Sequence, residues 1–118
     1  MKRVLTGNEI TRESLIKFFK EIIKHKFVSC DSYKYMIESG KYNFIFAQDC
    51  LIVRYNKDFT SRVCINYNDI KEINLYKSED NSEIYLQFDT DNGTYFGFDI
   101  NKAEIEVNEK IKAELYGN

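Results

Sequence analysis

The spacing of hydrophobic positions changes twice along this chain. In the first segment Leu15, Phe18, Phe19, Ile22 and Ile23 recur at helical intervals, while Lys17, Lys20, Lys24 and Lys26 lie largely on the other faces. Thr11 stands where an N-cap belongs, with Ile10 and Leu15 placed as a hydrophobic staple. These signals predict a helix over about 12–26. Near the other terminus Ala103, Val107, Ile111 and Leu115 make a second stripe, with Asn101 at the cap, Glu104 at the capping-box position and Gly117 as the stop. A helix over about 102–116 is expected there.

Between the helices the period is two. Candidate strands are Tyr33–Glu38, Tyr42–Ala47, Cys50–Tyr55, Arg62–Tyr67, Ile70–Tyr76, Glu83–Asp89 and Thr94–Phe98. Proline is absent, so Gly, Asn, Asp and Ser must make the turns. Asn92-Gly93 between alternating segments is the strongest hairpin signal. Short loops between consecutive strands favour antiparallel pairing over crossovers. The expected fold is α+β: one domain over 1–118, with an antiparallel meander of six or seven strands over about 33–99 and a helix at each end.

Seven short strands followed by a helix, with Ile65-Asn66-Tyr67-Asn68-Asp69-Ile70-Lys71-Glu72-Ile73 as a strand-turn-strand at mid-sheet, resemble the pleckstrin-homology-like domains. The resemblance implies a curled or barrel-like sheet. It does not extend to lipid binding, because Glu38-Ser39-Gly40-Lys41 lacks a Lys/Arg cluster for a phosphoinositide head.

The chain has 118 residues and a formal net charge of -2, but the charge is polarised. Residues 1–27 hold seven basic residues against three acids; residues 78–118 hold ten acids against three lysines. No segment is apolar for long enough to cross a bilayer, and the basic N-terminus lacks a signal-peptide core. Three cysteines make no disulfide framework, which points to a reducing, cytoplasmic setting.

Catalytic motifs are missing: no P-loop, no G-x-G-x-x-G and no nucleophile elbow. The single histidine, His25, rules out a two-histidine acid/base pair. A non-enzyme is therefore expected. Asp89-Thr90-Asp91-Asn92-Gly93 has glycine one place too early for a calcium loop and reads as a turn. Closing Cys50–Tyr55 onto Arg62–Tyr67 with Tyr55 near Ser61 makes Cys50 and Cys64 diagonal neighbours. With His25 and Cys30 they form a candidate Cys3His set, which suits structural zinc.

Tyrosine and phenylalanine number nine each. Most of those in strands must be core, and tyrosines on an outer face would serve as hot spots for a protein partner. Glu79, Asp80, Asp89, Asp91, Glu104, Glu106 and Glu109 are candidates for docking on a basic protein surface. Direct nucleic-acid binding is disfavoured by a sequence pI of about 5.5. Lys, Ile, Asn and Tyr enrichment suggests an AT-rich genome. In size and composition the chain is similar to small phage and mobile-element inhibitors of the anti-CRISPR type, which implies a non-enzymatic inhibitor of a host nucleic-acid enzyme acting in the host cytoplasm. The second reading is a zinc-stabilised regulator or small enzyme built on His25 and the cysteines.

Overall fold

A computed structural model describes residues 2–6, 10–28, 35–55 and 58–117. Helix α1 (Arg12–Ile22) starts where the sequence sets it. Ser14 N–H donates to Thr11 Oγ1 at 3.1 Å and Thr11 N–H donates to Ser14 Oγ at 2.8 Å, a capping box that satisfies two N-terminal groups reciprocally. Ile10 and Leu15 are both buried.

The strands form two open antiparallel sheets, not one meander. Five strands, β2 (Lys26–Val28), β3 (Tyr35–Ser39), β4 (Tyr42–Phe46), β5 (Cys50–Tyr55) and β6 (Asp58–Asn66), lie in sequence order in one sheet. A 3-10 turn, Tyr67–Asp69, then carries the chain into the second sheet. There β7 (Ile70–Lys77), β8 (Ile84–Thr90) and β9 (Tyr95–Asp99) are joined at the β7 edge by β1 (Lys2–Thr6). Strands β1 and β2 have no counterpart in the predicted set, and no closed barrel forms among the described residues. The start of the strand predicted at Tyr33 lies outside them.

Both helices are shorter than predicted, for one shared reason. At Ile23 the backbone turns extended and bridges Val107. Lys24 N–H donates to Glu106 C=O and Asn108 N–H to Ile22 C=O, both at 2.8 Å. Each chain segment satisfies the other's backbone instead of continuing its own helix. On the C-terminal side, residues 100–104 make one turn. It is closed by Ile105 N–H to Ile100 C=O and Glu104 N–H to Asn101 C=O, with Glu104 at φ 56. This is a Schellman stop. Helix α2 (Glu109–Leu115) begins only at a second cap, Asn108, whose Oδ1 accepts from Lys110 N–H at 3.0 Å.

The core lies between the sheets, and α1 contributes to it. The Phe19 ring sits 4.9 Å from Phe44 and 5.4 Å from Phe46 in one sheet and 6.2 Å from Phe88 in the other. Phe98 bridges the sheets likewise, 5.3 Å from Tyr42 and 6.2 Å from Phe88. Gly40 (φ 58) is where the C-terminal turn presses on the first sheet: a Cβ there would come within 2.3 Å of Glu104 C=O. No described helix is long and apolar enough to cross a membrane.

Candidate protein-docking surface

In β8 the alternation is complete: Ile84, Leu86, Phe88 and Thr90 are buried, and Tyr85, Gln87 and Asp89 are half-buried on the other side. Register extends that outer face across the sheet. Tyr76 pairs with Tyr85 and Tyr85 with Asp99; Asn74 pairs with Gln87 and Gln87 with Gly97; Glu72 pairs with Asp89 and Asp89 with Tyr95. Tyrosines and carboxylates thus share one surface. The Tyr76 and Tyr85 rings lie 5.5 Å apart, and Tyr95 is 66% exposed.

The polar side chains on this face are joined by hydrogen bonds. Tyr76 O–H donates to Gln87 Oε1 at 3.0 Å, Gln87 Nε2 donates to Asp89 Oδ1 at 2.8 Å, and Asn74 Nδ2 donates to Glu72 Oε2 at 3.1 Å. Tyr85 O–H donates to Glu83. That bond, followed by desolvation, pushes the Tyr85 phenol up to about 12. Except for Tyr76, whose hydroxyl donates to the Gln87 amide, the donors are turned toward carboxylates, so Glu72, Glu83 and Asp89 keep their charge.

Of the acids the sequence singled out, only Asp89 belongs to this face. Asp80 organises the β7–β8 turn: its Oδ1 accepts from Ser78 Oγ and Ser82 Oγ at 2.7 Å and from Ser82 N–H at 3.0 Å. Hydrogen bonds from Ser82 and then Ser78 hold its carboxyl down at about 2. Glu79 is exposed in the same turn. Asp91 lies in the β8–β9 hairpin, at the opposite end of β8, its N–H donating to Asp69 C=O at 2.9 Å. Glu104 and Glu109 face lysines, Lys41 at 4.0 Å and Lys24 at 3.6 Å. Glu106 lines a shallow groove of about 360 Å³ with Lys24, His25, Lys26 and Glu104. The acids are dispersed over three regions, and those of the C-terminal strip are largely balanced by bases.

The thiols lie on the outer face of the other sheet. Ile52 pairs with Cys64 and Cys50 with Asn66, so Cys50 and Cys64 are diagonal neighbours. A bulge between Arg54 and Tyr55 brings Tyr55 opposite Asp58, but the frame of the thiols is unchanged. Burial, then the Cys64 thiol alongside, pushes the Cys50 thiol up. His25 does not join them. It precedes β2, at the far edge of the sheet from β6, four strand spacings or about 19 Å away. Cys30 lies outside the described residues. Among the described residues no three His, Cys, Asp or Glu come together to hold a metal.

Comparison of the chain with protein-family models, curated proteins and solved structures finds no match in any of the three. The functional reading therefore rests on geometry. Sequence reasoning placed Tyr76, Tyr85 and Tyr95 among the strand aromatics but did not make them site residues. The signal was present in β8, where Ile-x-Leu-x-Phe fixes the inward side and leaves Tyr85, Gln87 and Asp89 facing out.

Proposed function

We propose that this chain is a non-enzymatic protein-binding module that docks the outer face of its four-stranded sheet on a basic protein surface. The observation that carries the reading is the coincidence on that face of three tyrosines, Tyr76, Tyr85 and Tyr95, with Glu72 and Asp89. Tyrosines supply contact area at low entropic cost, and carboxylates steer a cationic partner and fix its register. Surfaces that bind nucleic-acid phosphates have the complementary charge. The reading thus extends to an inhibitor of a host nucleic-acid-binding enzyme, such as a CRISPR nuclease, encoded by a phage and acting in the host cytoplasm.

The test is capture of a partner from lysate of a low-GC bacterial host, followed by measurement with the purified partner. Charge reversal by Glu72→Lys with Asp89→Lys should weaken that complex by at least about a hundredfold, equivalent to about 2.8 kcal/mol. The native complex should also weaken as salt rises. A complex indifferent to both the reversal and the salt would refute the acidic-face reading.

A further inference from the structure

Strands β5 and β6 bring two thiols together on the outer face of the five-stranded sheet. Ile52 pairs with Cys64 and Cys50 with Asn66, so the two cysteines are diagonal neighbours on one side of the hairpin. Both are free; Cys64 is exposed and Cys50 half-buried. The two thiols are hydrogen-bonded to each other. Free cysteines are most often buried as small hydrophobes. An exposed Cys64 in contact with a second thiol is not explained that way.

The spacing decides what the pair can hold. Diagonal neighbours have Cβ atoms about 7 Å apart or a little less, whereas a disulfide needs them about 4 Å apart. A direct S–S bond would therefore require the strands to shift. An ion between the sulfurs requires much less, because two metal–thiolate bonds of about 2.3 Å each hold them up to about 4.6 Å apart. The number of ligands then selects the ion. Among the described residues no third His, Cys, Asp or Glu completes a metal-binding group, so they do not build the closed four-ligand site of a structural zinc. Soft thiolates also select Cu(I), and a monovalent ion of that kind is satisfied by two sulfurs in line.

We propose that Cys50 and Cys64 form a two-thiolate site for Cu(I). On binding, each thiol releases its proton to solvent and each sulfur forms one bond to the ion, with no change of oxidation state. The product carries one negative charge. Arg62, exposed and two residues from Cys64 on the same side of β6, supplies a nearby cation to offset it. The bound ion cross-links β5 to β6. The site lies on the other sheet from the docking face and does not depend on that proposal.

The probe is Cu(I) itself, offered to the full chain under anaerobic conditions as its bathocuproine disulfonate complex, whose colour reports what the protein withdraws. The native chain and Cys30→Ser should take up copper equally, one ion per chain. Cys50→Ser and Cys64→Ser should each weaken uptake at least about a hundredfold, equivalent to about 2.8 kcal/mol. Circular dichroism would confirm that each variant is folded, and Cys64→Ser, at an exposed position, disturbs the packing least. X-ray absorption of the loaded chain should show copper with two sulfur neighbours. Undiminished uptake by folded Cys64→Ser, loss of uptake in Cys30→Ser, three or more ligands on copper, or zinc held as tightly as copper would each overturn the proposal.

Discussion

The outer faces of the two sheets are built by the same alternation and end with opposite chemistry. On the four-stranded sheet the outward row Val4–Asn74–Gln87–Gly97 is polar at Asn74 and Gln87 and is flanked by tyrosines and carboxylates, with Lys2 in register beside Tyr76 at the β1 edge. On the five-stranded sheet the outward row Val28–Met36–Ile45–Ile52–Cys64 is apolar, and the next row, Lys26–Glu38–Asn43–Arg54–Arg62, carries three bases against one acid. Met36 and Ile45 are 8% and 7% exposed, about as buried as Asn74. Burial on an outer face is thus met by hydrocarbon at Met36 and Ile45, and by an amide with an open acceptor at Asn43 in the same sheet and at Asn74 in the other. Hydrocarbon there is stabilising, whereas each amide with an open acceptor costs stability.

The largest expected effect tests whether one core supports both faces. Phe19 contacts Phe44 and Phe46 in one sheet and Phe88 in the other. Phe19→Ala should cost about 3–5 kcal/mol in urea unfolding. Tyrosine fluorescence and far-UV circular dichroism should still report one transition. Separate transitions for the two sheets would show that the faces are held independently.

Exchanging the two kinds of central residue should give effects of opposite sign. Ile45→Asn puts a polar group into an apolar row and should destabilise by about 2 kcal/mol or more. Asn74→Leu removes an acceptor that has no partner, and the carboxylate it frees on half-buried Glu72 still reaches water. It should be neutral or stabilising by about 1 kcal/mol. Loss of stability comparable to that of Ile45→Asn would make Asn74 an ordinary structural amide.

How much of this was legible depended on where the pairing partners lie in sequence. The α1 cap, the strand β5 and the Cys50–Cys64 diagonal follow from neighbours a few residues apart, and the sequence displays all three. The division into two sheets was not legible, because β1 joins β7 across some seventy residues and no local pattern encodes that choice. The ends of both helices were misread for the same reason: Ile23 and Val107 look helical by spacing until each supplies the other's bridge. The proposed metal set was equally long-range. The thiols come together through one hairpin, whereas His25 is placed by an edge strand of three residues that the periodicity does not reveal. The acids were found by composition, which counts charges but cannot separate a turn organiser such as Asp80 from a surface group such as Asp89.

Two smaller effects are titrations, one on each face. Tyr85 is held up at about 12 by its hydrogen bond to Glu83 and by desolvation, against about 10 in an unfolded chain. A folded value above the unfolded one means that the contribution to stability is complete below about pH 10. It is lost as pH rises through about 12. Glu83→Gln should bring the Tyr85 transition, followed by NMR, back toward about 10, and no movement would assign the shift to some other neighbour.

The smallest effect concerns Cys50, whose thiol is raised first by burial and then by Cys64. A folded value above the unfolded one again means that stability from the protonated thiol is present below the unfolded value and lost above the folded one. Cys64→Ser removes the neighbour but not the burial. The Cys50 thiol should therefore fall only part of the way back, and its alkylation by iodoacetamide near pH 8, read by peptide mass mapping, should speed up. The rate follows the thiolate fraction, so an unchanged rate would leave burial as the whole cause, and a slower one would show that Cys64 assists Cys50.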